Sequence, residues 1–176
     1  MVGVVSNLGR WAPWYERGTP VSYGDTVTYR LAAEWLSGLA VEDWGCGCAR
    51  FRDLHDGPYL GVDGTPGWCD VVDDLATRRS STPGLLLRHV LEHDRDWPVI
   101  LANAVASATE RIVIVTFVPD GEGTQVGWCE ELGVPDIAVP HVAVDAALTG
   151  WHVDTWTGPT ATAYGAETAW LARRPG

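Results

Sequence analysis

The chain contains no lysine. All twelve of its basic residues are arginine, set against twenty-three acidic ones, for a net charge of -11. A GC-rich coding sequence accounts for the arginine bias, and a preference for bidentate anion contacts is the sharper reading. The shortage of cations weighs against nucleic acid as a substrate, because nonspecific affinity there comes chiefly from positive charge neutralising phosphates. Cysteine is also scarce. Cys46, Cys48, Cys69 and Cys129 lack the Cys-x-x-Cys spacing of zinc sites, so no metal is expected, and they read as small buried residues of a reducing compartment. No apolar run approaches the roughly eighteen residues of a membrane span, and no charged leader precedes an apolar core. The expectation is a soluble cytoplasmic protein of one domain, since 176 residues suffice to bury a core without disulfides.

The stretch Val41-Glu42-Asp43-Trp44-Gly45-Cys46-Gly47-Cys48-Ala49-Arg50-Phe51 is followed by Tyr59-Leu60-Gly61-Val62-Asp63. It reads as a strand, a glycine turn, a short helix and a second strand ending in a carboxylate, the nucleotide-binding half of a doubly wound sheet. Asp63 is placed to accept hydrogen bonds from two ribose hydroxyls, which points to an adenosine-containing cofactor. A dinucleotide fingerprint needs a third glycine where Arg50 stands, and the Asp43 charge would repel a pyrophosphate. An NAD-dependent oxidoreductase is therefore disfavoured, whereas a cofactor with a cationic amino acid end tolerates Asp43.

The run from Asp43 to Ala49 resembles motif I of the class I S-adenosylmethionine-dependent methyltransferases, in which an acidic residue is followed by Gly-x-Gly-x-Gly; here the last glycine is Ala49. Downstream, Leu86-Leu87-Arg88-His89-Val90-Leu91-Glu92-His93 resembles the fourth strand and following turn of that superfamily. Arg111 to Val118 fits its fifth strand, a buried β-branched run stopped by Pro119. The resemblance spans about residues 25 to 172. It implies an α/β, Rossmann-like doubly wound sheet, mostly parallel with an antiparallel last strand, with a shortened crossover after the second strand because residues 64 to 69 cannot hold a full helix.

The resemblance further implies S-adenosyl-L-methionine as cofactor. Asp43 would hold the amino group of its methionine portion, directly or through water, and the backbone of Gly45, Cys46 and Gly47 would line that chain. Asp63, with Gly64, would hold the ribose, and Asp74 and Leu75 the adenine amino group. Asp73 is the alternative if the short crossover shifts the register. Arg88 completes the cofactor-binding set. The acceptor would be a hydroxyl or amine of a small molecule, a sugar or a protein side chain, and a non-catalytic S-adenosylmethionine-binding scaffold is the alternative function. No Asn-Pro-Pro-Tyr, Asp-Pro-Pro-Tyr or Pro-Cys string appears, so the resemblance does not extend to DNA-methylating families.

His89 and His93 are the candidate catalytic bases, near the carboxyl edge where such folds bind ligands. The plainer alternative makes their segment a capping turn in which His93 only packs. His141 is a third candidate. Arg78 and Arg79 either grip an acidic substrate or form a solvated loop pair.

Residues 1–24 form an irregular lead-in, in which Trp11, Trp14 and Tyr15 are candidate lid residues; 25–118 form the cofactor-binding core and 119–176 the substrate-side loop and final strands. Asp25 is expected to cap a helix to about Ser37, with Val27, Leu31 and Trp35 as its apolar stripe. A second helix is expected from Asp96 to about Ala108, carrying Trp97, Ile100, Leu101, Ala104 and Val105. The Gly-rich stretch 120–127, with Pro135 and Pro140, predicts an irregular insert before a helix at about His141 to Leu148. Trp151 to Trp156 and Glu167 to Ala172 predict two final strands joined across a Gly-Pro turn.

Overall fold

The structure, a computed structural model, describes residues 8–17, 26–118, 126–162 and 165–176. Its strands are β1 (Val41–Trp44), β2 (Tyr59–Asp63), β3 (Val71–Val72), β4 (Thr82–Arg88), β5 (Ala108–Val118), β6 (Val126–Cys129), β7 (Val134–Ile137), β8 (His152–Thr162) and β9 (Gly165–Arg173). Its helices are α1 (Ala12–Glu16), α2 (Thr26–Leu36), α3 (Trp97–Ser107) and α4 (His141–Ala147).

Seven strands form one sheet in the order β3-β2-β1-β4-β5-β9-β8, and β6 pairs with β7 in a separate hairpin. β1, β2, β3, β4 and β5 pair in parallel, while β9 is antiparallel to both β5 and β8. The sheet is thus mostly parallel with an antiparallel last strand. The chain runs outward from β1 through β2 to β3 and then returns to β4, so β1 and β4 flank the point where strand order reverses. Ligand crevices form there, outside the carboxyl ends of the strands.

Alternation along the strands builds the two layers. Ile112 and Ile114 of β5 and Leu85 and Leu87 of β4 pack with Ile100, Leu101 and Ala104 of α3. Val113, Val115 and Leu86 point the other way, onto Ala32 and Leu36 of α2. Successive strand residues face opposite sides, so both faces of a covered parallel strand must be apolar, which is why these runs lack a polar phase.

The structure corrects three expectations. The buried face of α2 is Thr28, Ala32 and Leu36, one residue out of phase with Val27, Leu31 and Trp35. Val27 is exposed, and the inward position belongs to a threonine whose hydroxyl is needed in a buried polar cluster. The segment holding Pro135 is not irregular: β7 pairs antiparallel with β6 and sets Pro135 opposite Trp128. Pro135 is tolerated because a two-stranded ribbon consists only of edges. Gly158 and Pro159 do not form the final turn. They lie inside β8, where the pairing register with β9 shifts between Thr157 and Ala161. The short helix expected after the glycine turn is present as a single turn, Arg50–Asp53. The Asp25 cap and most of the Gly-rich stretch 120–127 lie outside the described residues.

The phase of α2 is testable by denaturant titration. Leu36→Ala, at a fully buried position, is expected to destabilise by about 2–5 kcal/mol, whereas Leu31→Ala is expected to cost under about 1 kcal/mol. The reverse order would restore the out-of-phase stripe.

Candidate functional site

A cleft of about 950 Å³ opens at the carboxyl edge of the sheet, between the segments that follow β1 and β4. Its β1 side is the glycine turn. Gly45, Gly47 and Ala49 have φ of 72°, 55° and 54°, so the Gly-x-Gly-x-Gly frame persists as conformation even where its last residue is alanine. That conformation costs an L-residue roughly 1–2 kcal/mol. Gly45 is required twice over, since a Cβ there would lie 2.3 Å from Val90 Cγ2. The N–H groups of Gly45 and Cys46 both donate to Val62 O of β2, at 2.7 and 3.1 Å, which seats the turn against the neighbouring strand.

Asp63 closes β2 at the cleft wall. Its Oδ1 accepts the Thr65 N–H at 2.8 Å, and its Oδ2 accepts the Gly47 N–H at 3.0 Å and the Tyr15 hydroxyl at 3.2 Å. Burial raises the Asp63 pKa, opposed by these hydrogen bonds. Gly45, Cys46, Gly47, Asp63, Gly64, Asp73, Asp74, Leu75, Arg88, His89 and His93 all border the cleft. Asp43 does not. It lies behind the turn, accepts the Tyr59 hydroxyl at 2.8 Å, and burial raises its pKa to about 7.

Two arginine readings change. Arg78 neither grips a substrate nor floats in solvent: it bonds Glu42 Oε2 and Asp73 Oδ2 at 2.9 and 2.8 Å, tying β1 to the loop after β3. Arg88 borders the cleft, but its Nε donates to Thr28 Oγ1 at 3.0 Å and its guanidinium lies 3.9 Å from the Tyr29 ring centroid.

Arg88 thereby enters a buried cluster at the end of β4. His89, with a left-handed φ of 52°, places Nδ1 2.8 Å from Glu92 Oε1 and Nε2 2.9 Å from Glu167 Oε1. Thr28 donates to the same Glu167 oxygen at 3.1 Å. A carboxylate facing each ring nitrogen requires a proton on each, so His89 is held as an imidazolium without a lone pair. Burial alone would lower its pKa, but the two carboxylates outweigh it and raise it. Glu92, whose burial alone would raise its pKa, is instead held low by His89. His89 as placed is a structural cation and not the base expected of it.

His93 differs. Its Nδ1 lies 3.3 Å from Pro135 O and 3.4 Å from Asp136 Oδ1, so a proton on Nδ1 has two acceptors there. His141 pairs with Asp145 on the exposed side of α4 and borders neither the cleft nor the chamber beside it. Of the lid candidates, Trp11 and Tyr15 line the cleft, and Trp11 and Trp14 line that neighbouring chamber. Gly9 N–H donates to Gly64 O, and Arg10 reaches Gly133 O in the β6–β7 turn at 2.7 Å, so residues 8–17 form a strap across the opening. Among the described residues no group of His, Cys, Asp and Glu is arranged to hold a metal. No helix there is long and apolar enough to cross a membrane.

Glu92 lies in a motif that assigns it no role, and nothing local marks Thr28 and Glu167 as site residues, because their partners lie 60 to 139 residues away.

No family model and no curated protein matches the chain. Solved structures do. The 1,6-didemethyltoxoflavin-N1-methyltransferase of Burkholderia thailandensis, with bound 1,6-didemethyltoxoflavin and S-adenosylhomocysteine, superposes with a TM-score of 0.69 at 18% identity, covering 94% of this chain and 86% of that one. The magnesium protoporphyrin IX methyltransferase of Synechocystis, with bound SAM, gives 0.61 at 17% identity over 94% and 90%. The N-methyltransferase NodS of Bradyrhizobium japonicum, with S-adenosylhomocysteine, gives 0.60 at 12% identity over 92% and 88%.

The His89 cluster sets a pH dependence. A raised folded pKa for His89 means that its stabilisation is full below its ordinary 6.5 and is lost as pH rises through the raised value. The lowered pKa of Glu92 gives stabilisation present above its ordinary 4.5 and lost as pH falls through the lowered value. The denaturation midpoint is therefore expected to fall as pH rises above about 6.5, and His89→Gln to remove that limb. Equal slopes for the two proteins would dissolve the charged cluster.

Proposed function

We propose that this chain, which has the fold of the class I S-adenosylmethionine-dependent methyltransferases, binds S-adenosylmethionine in the cleft and methylates a nitrogen or oxygen of a small molecule. The observation that carries the reading is Asp63. A carboxylate at the end of β2 lies 3.0 Å from the Gly47 N–H and holds a tyrosine hydroxyl at 3.2 Å, so the site already accepts the kind of donor that a ribose diol presents. The fit extends along the cleft. Gly47 leaves open the space a side chain would fill, with Tyr15 Oη the nearest atom at 3.8 Å, and Asp74 and Leu75 border the same cavity.

In this reading Asp63 holds the ribose hydroxyls, Asp74 and Leu75 face the adenine, and the backbone of Gly45 to Gly47 lines the methionine portion. Asp43 acts from behind, supporting the turn through the buried acid it shares with Tyr59. When bound, S-adenosylmethionine supplies a sulfonium methyl that an acceptor atom takes as the carbon–sulfur bond breaks. The chain's own task is to orient the acceptor, exclude water and receive a proton. His93, which lines both the cleft and the chamber beside it, is the group assigned to that proton, and the fixed charge of His89 keeps the end of β4 in place without taking part.

Calorimetric titration with S-adenosylmethionine and S-adenosylhomocysteine, with NAD as comparison, tests this. Both adenosyl ligands are expected to bind and NAD not to. Asp63→Ala is expected to weaken binding at least tenfold, since each hydrogen bond to a charged group contributes about 1.5–3 kcal/mol. Tyr15→Phe removes the hydroxyl that competes for Asp63 and is expected to tighten binding about three- to tenfold. Full affinity in Asp63→Ala, or NAD binding in place of the adenosyl ligands, would overturn the assignment.

A further inference from the structure

A second chamber of about 870 Å³ adjoins the cleft, with Trp11, His89 and His93 lining both. Its walls are aromatic and aliphatic: Trp11 and Trp14 from the strap, Phe117 from the end of β5, and Val134 and Ile137 from the β6–β7 hairpin. Glu92 borders it, only 5% exposed. Glu92 Oε1 is occupied by His89 Nδ1 at 2.8 Å and by the Phe117 N–H at 3.1 Å. Among the described residues, Glu92 Oε2 is buried and has no hydrogen-bond partner.

A buried acceptor without a donor costs about 1–3 kcal/mol, and more when it is charged. Natural proteins rarely retain such an atom unless something fills the position. The free valence therefore calls for an N–H or O–H brought in by a ligand. Among the described residues the charges on the wall are Glu92 and Asp136, both negative, and His89, whose positive charge already faces Glu92 and Glu167; no arginine lines it. An acceptor with a carboxylate or phosphate would bring a further negative charge beside Glu92 and Asp136, while both nitrogens of His89 are already taken by carboxylates. A sugar would need many polar partners and finds few, whereas a flat ring fits walls made of indole and phenyl faces.

We infer that this chamber is the acceptor site and that it takes a flat nitrogen heterocycle, neutral or cationic, whose ring N–H donates to Glu92 Oε2. The inference rests on the methyltransferase reading for what then happens to the ligand, but not for the binding chemistry. His93, shared by both cavities, stands at the passage between them.

The test uses the full chain and three probes of one shape: benzimidazole, benzofuran, which lacks the N–H, and benzimidazole-5-carboxylate. Affinities are read by calorimetry with and without S-adenosylhomocysteine. Benzimidazole is expected to bind at least tenfold more tightly than either comparison. Glu92→Gln should erase its advantage over benzofuran. Because Glu92 also anchors His89, Cys129→Phe serves as a second variant: it fills the chamber from the hairpin side and should abolish benzimidazole binding while S-adenosylhomocysteine affinity stays within about twofold. Equal affinity for benzimidazole and benzofuran, preference for the carboxylate, no binding of any probe, or binding untouched by Cys129→Phe would each overturn the inference. Failure of S-adenosylhomocysteine to bind, with the heterocycle preference intact, would sink the cofactor reading and leave the chamber assignment standing.

Discussion

The Asp63 carboxylate accepts hydrogen bonds from three separate pieces of chain: the glycine turn through Gly47, the exit of β2 through Thr65 and the strap through Tyr15. A buried carboxylate is costly to desolvate, and hydrogen bonds to the charged form offset that cost. All three segments depend on it, and they enclose the cleft. The same fact explains why the site tolerates Ala49 in a left-handed conformation. The turn is held at Gly45 and Cys46 by Val62 O and at Gly47 by Asp63, so the strain at Ala49 is carried by the contacts of the residues just before it.

A second buried cluster holds the other lip. Arg88 and His89 carry two positive charges against Glu92 and Glu167, and Thr28 bridges them from α2. Charge balance inside the core requires His89 to be protonated, which removes it from base chemistry and gives it a fixed role. The left-handed backbone at His89 is what turns its ring back between β9 and the turn after β4. His93, four residues on, has one acceptor-lined nitrogen and a share in both cavities. Two histidines of one short motif thus have different surroundings, set by what faces their nitrogens.

The path from β1 through the glycine turn to Asp63 was legible because its signals are local: a short strand ending in an acid and a tryptophan, glycines where φ must be positive, and a carboxylate at a fixed distance. The β5 run and α3 were legible for the same reason. What escaped depends on contacts across the sheet. Thr28 reads as a gap in an apolar stripe until Glu167, 139 residues away, supplies a reason for a hydroxyl to face inward. The competition at both nitrogens of His89 needs a glutamate from β9 that no motif marks. Pro135 reads as a loop signal, yet it sits in an edge strand, where a missing N–H does no harm.

The fold leaves ligand choice open, since structures that share it at 17 and 18% identity are named for different acceptors. What narrows the choice is the material laid over the carboxyl edge of the sheet. The strap supplies Tyr15 to one cavity and Trp11 to both, and the Tyr15 N–H bonds Trp11 O at 3.1 Å, so the two residues move as one turn of helix. The β6–β7 hairpin is bound to that strap by Arg10 at Gly133 and by the Arg17–Glu131 ion pair. Cleft and chamber consequently share one wall, and a ligand that displaces Tyr15 from Asp63 acts on the surface that borders the other cavity. Linkage makes such an effect reciprocal: whatever free energy the first ligand adds to or removes from binding of the second, the second returns to the first.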